Sequence, residues 1–443
     1  MTTVPFRHKK SAASLVAQLR ADEHAPMSAM IEIADRCNEV CVHCYQIQGQ
    51  KGEMTTEQLE GVIDELADMG VVFLTISGGE ATLRNDFLHI VEHARKRKFA
   101  VKLYTNGLRM TRELARSLAE LAVQEVQISL YSHRAEMHDW VTRVPGSWEK
   151  TVAGIRYLRE EGVAVVVKSP LMSFNAGEYG EWIDFVVGLG ADYMLDPHVD
   201  PRENEDRDTE ALRVDEATLL RIQDDERLGR AAGGPPPEKD LDKSLCGACS
   251  GNVHIEANGE MRPCTQLTVP VGNALTDGVQ RAWKENREAR TMRHLTWREV
   301  HGCRDCDLQP YCHRCFANAY TEGGDALGPY MSACHKARLQ YRHVHGVDPS
   351  VDPGDTGRDP RLGPYREVAR GKLFAIADVE TEADRERARA HDWIRRPGGA
   401  APGASDDSAQ PGQLVQIRRP GRRKAKQERV PTVTPEPAAT TTG

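Results

Sequence analysis

Short apolar segments alternate with amphipathic helical segments along the first half of the chain. Six segments have the length and the β-branched and aromatic content of strands, and they cover residues 30–34, 71–77, 99–105, 126–131, 163–168 and 191–196. The spacing of apolar residues predicts helices between the early strands, at residues 55–70, 84–98 and 111–122. Thr55 and Gln58, at the start of the first of these helices, have the spacing of a capping box.

This regular alternation of strand and helix predicts an α/β fold with a parallel sheet. Parallel strands that follow one another in the sequence are joined by right-handed crossovers, which the intervening helices supply. Six such units fit either an open doubly wound sheet or an incomplete (βα) barrel. In both folds the loops after the carboxyl ends of the strands form the active site. We therefore expect functional residues directly after the predicted strands.

The composition favours a cytoplasmic protein that binds neither nucleic acid nor membrane. Of the 443 residues, 40% are hydrophobic, and the formal net charge of −8 is not that of a nucleic-acid-binding protein. No apolar run approaches the 18 or so residues that a membrane span requires. The basic N-terminal segment lacks the continuous apolar region of a secretory signal. Eleven cysteines in a reducing compartment indicate metal binding or catalysis rather than disulfides.

The cysteines fall into two groups that are far apart in the sequence. Cys37, Cys41 and Cys44, the loop cysteines, directly follow the first predicted strand. The other eight lie in the second half of the chain, and they are Cys246, Cys249, Cys264, Cys303, Cys306, Cys312, Cys315 and Cys334. Zinc and ordinary [4Fe–4S] clusters take four ligands, so the loop cysteines are one ligand short. On a [4Fe–4S] cluster they would leave one iron open to a ligand that offers an amine and a carboxylate.

A second unusual segment, SGGE at residues 77–80, ends the second predicted strand. Paired glycines before an acid allow a ligand to approach the backbone closely and direct Glu80 towards a cation. Alone, such a segment is more typical of an ordinary strand-to-helix turn. Its place beside three clustered cysteines at the same edge of the sheet favours a ligand site, in which Glu80 would hold the ammonium of the ligand.

Together these two motifs resemble those of the radical S-adenosylmethionine enzymes. The resemblance implies a partial (βα)6 TIM-type barrel in which Cys37, Cys41 and Cys44 bind a [4Fe–4S] cluster. It also implies that S-adenosylmethionine supplies the missing iron ligand through its amino and carboxylate groups. Electron transfer from the cluster to the sulfonium would then release a 5′-deoxyadenosyl radical, which abstracts hydrogen from the substrate.

The resemblance further assigns residues to S-adenosylmethionine binding. The residues that would contact the methionine moiety are Ser77, Gly78, Gly79 and Glu80. His43 takes the position of an aromatic residue that lies near the adenine. Thr105, Asn106 and Ser129, at later strand ends, would reach the ribose, and a turn or capping role is the alternative for these three. The family often has proline after the glutamate, where this chain has Ala81.

The eight cysteines of the second group include three CxxC pairs, which without context would indicate zinc ribbons. Their order, with Gly259 before Cys264 and a lone Cys334 at the end, instead resembles the SPASM domain, which holds two auxiliary [4Fe–4S] clusters. The resemblance assigns Cys246, Cys249, Cys264 and Cys315, here called set I, to auxiliary cluster I. It assigns Cys303, Cys306, Cys312 and Cys334, here called set II, to auxiliary cluster II. Two residues, His313 and Arg314, separate the last pair, where the family usually has three.

Changes in composition along the chain predict six regions. They are an N-terminal extension (1–26), a radical S-adenosylmethionine core domain (27–230), a Pro/Gly linker (231–240), a SPASM domain (241–345), a partly helical extension (346–396) and a disordered low-complexity tail (397–443). The resemblance covers roughly residues 27–340. We assign no function to the basic run in the tail.

The function that these features favour is an oxidoreductase that modifies a ribosomally made peptide or a protein side chain. A tetrapyrrole or another small molecule is the alternative substrate, and a non-catalytic iron–sulfur carrier or zinc module is the second alternative. Expected partners are an electron donor such as flavodoxin or ferredoxin and a separate leader-peptide-binding protein, because no N-terminal stretch resembles a peptide-binding domain. Lys168, Asp196 and His198 lie at later strand ends, and we interpret them as members of ion pairs rather than as substrate ligands.

Overall fold

A computed structural model describes residues 26–204, 206–228, 236–237, 240–300, 303–304 and 306–349. Its strands are β1 (Ser28–Ala34), β2 (Phe73–Gly78), β3 (Ala100–Thr105), β4 (Glu125–Ser129), β5 (Val165–Pro170), β6 (Asp192–Asp196), β7 (Asn252–Ile255), β8 (Glu260–Arg262) and β9 (Gly272–Asn273). Within the described residues they form one sheet with the order β6-β5-β4-β3-β2-β1-β7-β8-β9. All neighbours from β6 to β7 are parallel, whereas β8 and β9 are antiparallel additions. All six predicted strands are confirmed.

The helices are α1 (Thr56–Asp68), α2 (Phe87–Lys96), α3 (Arg112–Glu120), α4 (Ala135–Thr142), α5 (Ser147–Glu160), α6 (Tyr179–Gly188), α7 (Glu216–Asp224), α8 (Val279–Glu285), α9 (Arg287–His294), α10 (Phe316–Gly323) and α11 (Met331–His345). The predicted capping box starts α1, since the Thr55 side chain accepts from the Gln58 amide at 3.2 Å and Gln58 accepts from the Thr55 amide at 2.8 Å. Among the described residues, no helix is long and apolar enough to cross a membrane.

The order of the strands separates the two folds that the sequence left open. Strands β1 to β6 lie side by side in chain order, so every crossover advances in the same direction. Right-handed crossovers that all advance one way place their helices on a single face of the sheet. A doubly wound sheet would instead reverse direction at a switch point. The fold is therefore the predicted partial (βα)6 barrel, and the helix-free face of the sheet forms its interior.

The second half of the chain extends this sheet with strands that the apolar pattern does not predict. β7 pairs in parallel with β1, with Asn252 opposite Ser28 and Ile255 opposite Ile31. β8 and β9 contain only three and two residues, which is too short for a period of two to be recognised. The region with the eight cysteines is thus joined to the barrel through the backbone hydrogen bonds of the sheet.

The two faces of the sheet differ in polarity. On the face towards the helices, residues such as Ile31, Leu74, Leu103, Ile128 and Val167 are almost fully buried in one apolar core. Side chains alternate along a strand, so the intervening residues point into the barrel. These interior residues include Glu32, Lys102, Tyr104, Gln127, Lys168 and His254. The barrel interior is therefore lined with ionisable and hydrogen-bonding groups.

Most of the predicted N-terminal extension, the linker, the partly helical extension and the low-complexity tail lie outside the described residues.

Candidate functional site

The loop cysteines lie in the segment between β1 and α1, at the carboxyl ends of the strands. Backbone hydrogen bonds fasten this segment to the end of α4, from the Val40 amide to the Thr142 carbonyl and from the Val42 amide to the Val141 carbonyl, both at 3.0 Å. The Cys44 amide donates to the Cys41 carbonyl at 3.1 Å and forms a tight turn between these two thiols. The short spacing of the cysteines therefore keeps all three in one loop at the barrel mouth.

Gly78 and Gly79 allow β2 to pass close against the backbone of this segment. A Cβ atom on Gly78 would lie 2.4 Å from the Ala34 carbonyl oxygen, and one on Gly79 would lie 2.5 Å from the Arg36 carbonyl oxygen. Gly78 also has a φ of +140°, which side chains rarely adopt. The Gly79 amide donates to the Ala34 carbonyl at 2.8 Å, and the next amide donates to Arg36. In this structure the paired glycines hold the cysteine segment in place.

The Glu80 carboxylate is buried below the loop cysteines, with 1% of its surface exposed. Its Oε1 accepts from the hydroxyls of Thr82 at 2.6 Å and Thr105 at 2.7 Å, and also from the Thr82 amide at 3.1 Å. Its Oε2 accepts from the Asn106 amide at 2.7 Å. Three donors thus fix Oε1, whereas Oε2 has a single donor and a lone pair for one more.

The loop cysteines are half-buried. Burial is the main reason that the pKa of Cys37 rises to about 12, and the nearby carboxylates of Glu80 and Glu39 raise it further. Burial also raises the pKa of Cys41 and Cys44. A buried thiolate needs a nearby positive charge, so this donor set fits a cationic metal centre.

Three residues that the sequence motifs do not include, Glu39, Tyr131 and His138, lie around Cys41. The Glu39 carboxylate is 3.2 Å from the Cys41 sulfur, and its other oxygen is buried without a hydrogen-bond partner in the described structure. Burial raises the pKa of Glu39 to about 8. The Tyr131 hydroxyl is 3.7 Å from the same sulfur, and the Tyr131 ring stacks on His138. No spacing rule points to Tyr131 and His138, because they approach Cys41 only in the folded chain.

The structure brings the other predicted ligand residues to the same mouth. The His43 ring packs edge-on against Tyr131 with centroids 4.8 Å apart, and burial lowers its pKa to about 4. The side-chain nitrogen Nδ2 of Asn106 lies 3.8 Å from the Cys37 sulfur and donates to Oδ1 of Asn38 at 2.7 Å. Ser129 ends β4 beside Lys168 in the sheet register.

Deeper in the barrel, Lys168 has no carboxylate within salt-bridge distance among the described residues. Its ammonium lies 3.7 Å from the centre of the Tyr104 ring. Burial lowers its pKa to about 7. The neighbouring Lys102 is instead paired with Glu125 at 3.4 Å. The expected ion pair of Lys168 is thus wrong, and this amine faces the barrel interior.

His198 contacts the Lys336 ammonium at 2.9 Å and lies 4.0 Å from Asp196, at the edge of the barrel.

A buried charged network joins β1 to β7 and β8. Glu32 and His254 approach to 3.4 Å, and Glu256 lies beside them. Lys51 contacts Glu256 at 3.0 Å, and Arg262 contacts it at 2.6 Å. Because these two cations neutralise the carboxylates, we interpret the group as a structural joint between the two halves of the sheet.

In the second cysteine region, set I converges around one point. Mutual electrostatic effects connect Cys246 with Cys315, Cys264 with both of them, and Cys249 with Cys246. Burial raises the pKa of each thiol, to about 11 for Cys246 and to about 12 for Cys249. Cys249 has a φ of +57°, a strained conformation for a residue with a side chain.

Set II shares the last CxxC pair with set I, since Cys312 belongs to set II and Cys315 belongs to set I. Cys303 is within electrostatic range of Cys306 and Cys334, and burial raises its pKa to about 11. Cys306 and Cys312 pack against the same small apolar cluster, formed by Leu308, Tyr311 and Ala337. Cys303 also packs against the main apolar core together with Cys246, Cys264 and Cys315. The partition into sets I and II stays a prediction.

Comparisons with known proteins agree with this arrangement of two cysteine regions. Residues 31–186 match the family model described as the radical SAM superfamily, where SAM denotes S-adenosylmethionine. Residues 246–315 match the SPASM model, described as an iron–sulfur cluster-binding domain. The first match contains the loop cysteines and SGGE, and the second contains every set I and set II cysteine except Cys334.

Individual proteins match over most of their length. The chain is 30% identical to the mycofactocin maturase MftC of Mycolicibacterium smegmatis over 372 residues, which are 79% of this chain and 93% of that protein. It is 26% identical to the AdoMet-dependent heme synthase of Methanosarcina barkeri, over 69% of this chain and 95% of that protein. Among solved structures, Streptococcus suis SuiB bound to S-adenosylmethionine superposes with a TM-score of 0.58 at 17% identity, over 72% of this chain and 80% of that one.

Proposed function

Since the chain belongs to the radical SAM superfamily and carries a SPASM domain, we propose that it cleaves S-adenosylmethionine reductively and oxidises a peptide substrate. The observation that carries the proposal is the meeting of the loop cysteines with Glu80 at the mouth of a polar barrel. A non-catalytic iron–sulfur carrier or a zinc module, the alternative, would not need Glu80 beside the loop cysteines.

In this proposal, Cys37, Cys41 and Cys44 hold a [4Fe–4S] cluster that keeps one iron open. When bound, the cluster supplies the electron that breaks a carbon–sulfur bond of S-adenosylmethionine. The protein contributes the position of that cosubstrate. Glu80 Oε2 accepts the ammonium, and the hydroxyls on Oε1 keep the carboxylate in one orientation. A buried carboxylate that is held by several donors loses little freedom when a cation binds to it.

The remaining residues of the mouth shape the adenosyl half of this site. His43 is held against Tyr131, so its ring and backbone offer a fixed surface for the adenine. Asn106 contacts both the Glu80 carboxylate and the Cys37 sulfur. In our proposal it contacts the ribose together with Thr105 and Ser129. Because these groups are positioned before the cosubstrate binds, little ordering is needed at that step.

We place the substrate in the barrel interior, between the S-adenosylmethionine site and the set I cysteines. Lys168, Tyr104 and Gln127 face this space. A small recess at the boundary between the loop cysteines and the region of Cys264 is lined by Tyr45, Arg202, Glu203, Gln266 and Asn318. A peptide segment would have to displace side chains at this boundary to lie between the mouth residues and set I. The maturase relative, which matches over nearly its whole length, favours a peptide as the substrate.

A tetrapyrrole or another small molecule is the second candidate, since a heme synthase also matches over most of its length.

Sets I and II, each with four cysteines, would hold two further [4Fe–4S] clusters without an open iron. These clusters would take up the electron that a substrate radical loses when the modified product forms. We expect a flavodoxin or ferredoxin to deliver the initial electron and a separate protein to present the leader peptide.

The proposal is tested by anaerobic reconstitution followed by incubation with dithionite and S-adenosylmethionine. About twelve irons per chain are expected, four for each of three clusters, together with release of 5′-deoxyadenosine. Replacing Cys37, Cys41 and Cys44 by alanine should leave about eight irons and abolish that release.

Cys303→Ala with Cys306→Ala is the matched control, because it removes thiols of set II only. This variant should still release 5′-deoxyadenosine but stop or divert product formation, provided that circular dichroism shows a folded chain. Stoichiometric zinc without iron, or wild-type protein that releases no 5′-deoxyadenosine, would contradict the proposal.

A further inference from the structure

Arg314 is a buried cation that stands between the two sets of four cysteines. It lies between Cys312 of set II and Cys315 of set I in the sequence, and 4% of its surface is exposed. One guanidinium nitrogen donates to the carbonyls of Ala326 and Gly328, the latter at 2.7 Å. These two contacts hold the side chain in the loop that connects α10 and α11.

The charge of Arg314 lies near thiols of both sets. It favours the thiolate of Cys303 in set II and so opposes the rise in pKa that burial causes. It acts through its charge on Cys246 and Cys315 of set I. In each case it opposes the effect of burial, which raises the pKa of the thiol.

Arg314 has no carboxylate partner among the described residues, and its Nε is buried without a hydrogen-bond partner there. A buried and uncompensated guanidinium is unfavourable, so the folded chain requires a negative charge nearby. Thiolates bound to iron at sets I and II would supply that charge from both sides. Asp200 beside Cys315 and Asp307 beside Cys306 are nearby negative groups, but each acts on one set.

We propose that Arg314 is a shared counter-charge for both auxiliary clusters and raises the reduction potential of each. This inference rests on the proposed function, because it requires clusters at sets I and II. A four-thiolate [4Fe–4S] cluster is anionic and gains one more negative charge on reduction. A fixed cation stabilises the reduced form more than the oxidised form, especially where water is excluded. Arg314 would therefore favour electron uptake by both clusters together.

Arg293 provides a matched comparison within the same region. It is also buried, donates to the Cys249 carbonyl, and lies 4.5 Å from the centre of the Trp283 ring. Its charge acts on Cys249 of set I. Neutralising Arg293 should therefore change one cluster, whereas neutralising Arg314 should change both.

The experiment is a potentiometric titration of the full-length reconstituted protein, followed by the EPR signals of the reduced clusters. Signals of the auxiliary clusters are assigned by comparison with the protein in which Cys37, Cys41 and Cys44 are alanine. Arg314→Met should lower the equilibrium constant for one-electron reduction of both auxiliary clusters at least tenfold, which is 59 mV each. Arg293→Met should lower only that of cluster I, and Arg314→Lys should retain most of the wild-type potential.

Iron content is measured on every variant so that the two proposals are tested separately. Wild-type protein without iron at sets I and II would refute the proposed function itself. Full iron with both potentials unchanged in Arg314→Met would overturn the role of Arg314 alone. If Arg314→Met fails to retain iron, Arg314→Gln, which keeps a donor for the two carbonyls, decides the question by the same criterion.

Discussion

The loop cysteines and the eight cysteines of sets I and II differ in the buried charges beside them, although Arg202 also lies near Cys44. Around the loop cysteines, Glu39 and Glu80 are buried carboxylates that act on Cys37. Around the second region, the buried groups Arg314 and Arg293 act on thiols of both sets. Negative charge disfavours an added electron and attracts a cationic cosubstrate, whereas positive charge favours electron uptake. This difference in charge fits the proposal that the barrel site donates an electron and that the auxiliary sites accept one.

The largest effect is expected from Gly79→Ala, which removes the close approach between β2 and the cysteine segment. Its new methyl group would lie 2.5 Å from the Arg36 carbonyl oxygen, and neither backbone can move without displacing Cys37. We expect loss of about four irons of twelve and of 5′-deoxyadenosine release. The measurements are iron content and product analysis after reconstitution.

Gly61→Ala is the control for this substitution, since a Cβ at this exposed helical position meets nothing within 4 Å. It should leave the iron content unchanged and stabilise the protein by up to about 1 kcal/mol, because alanine restricts the unfolded chain. Full iron and full activity in Gly79→Ala would show that the two backbones are not as tightly coupled as the structure indicates.

An intermediate effect is expected from Glu80→Gln, which keeps the shape of the side chain but removes its charge. The bond between an ammonium and a carboxylate contributes on the order of 1.5–3 kcal/mol, so the affinity for S-adenosylmethionine should fall roughly 10- to 100-fold. Equilibrium binding to the reconstituted protein measures this change. Glu92→Gln on the exposed side of α2 should bind normally, and equal affinity in both variants would remove Glu80 from the site.

The smallest effect concerns stability and comes from Lys168→Met. Burial lowers the pKa of Lys168 to about 7 in the folded chain, whereas its ordinary value is 10.5. The unfolded chain therefore binds this proton more tightly, and the penalty is full below pH 7 and fades as the pH rises towards 10.5. Methionine should stabilise the protein by roughly 1–3 kcal/mol at pH 6.5 and by much less at pH 9.5.

Urea unfolding of the reconstituted protein at several pH values measures this difference. Lys102→Met is the matched control, because Lys102 is paired with Glu125 and its loss leaves a carboxylate without that partner. This control should destabilise the protein. If Lys168→Met instead lowers stability at pH 6.5, the interaction of the ammonium with the Tyr104 ring outweighs the cost of its burial.

The sequence was most informative where a local pattern determines the structure. The six strands, the capping box of α1 and the parallel order of the sheet follow from apolar spacing and from the rules of crossovers. The pairing of β7 with β1 could not be predicted, because it depends on a contact between segments more than two hundred residues apart. The approach of Tyr131 to Cys41 could not be predicted either, because 90 residues separate them in the sequence.

One signal in the sequence could have revealed the barrel interior. Polar residues occur at alternate positions in strands that otherwise look fully buried, such as Lys102 and Tyr104 in β3, Lys168 in β5 and His254 in β7. This period of two marks the interior face. The lack of a salt bridge at Lys168 could not be inferred in the same way. It depends on the folded structure, in which Glu125 pairs with Lys102 instead.

The parallel pairing of β7 with β1 has a consequence for how the chain folds. If the chain were cut near residue 240, β1 would lose its partner along residues 28–31, and this side of the strand would become a sheet edge with exposed backbone donors and acceptors. The buried carboxylate of Glu32 would lose its neighbour His254 at the same time. The two halves are therefore expected to unfold as one cooperative unit, and an isolated barrel would be prone to edge-to-edge aggregation.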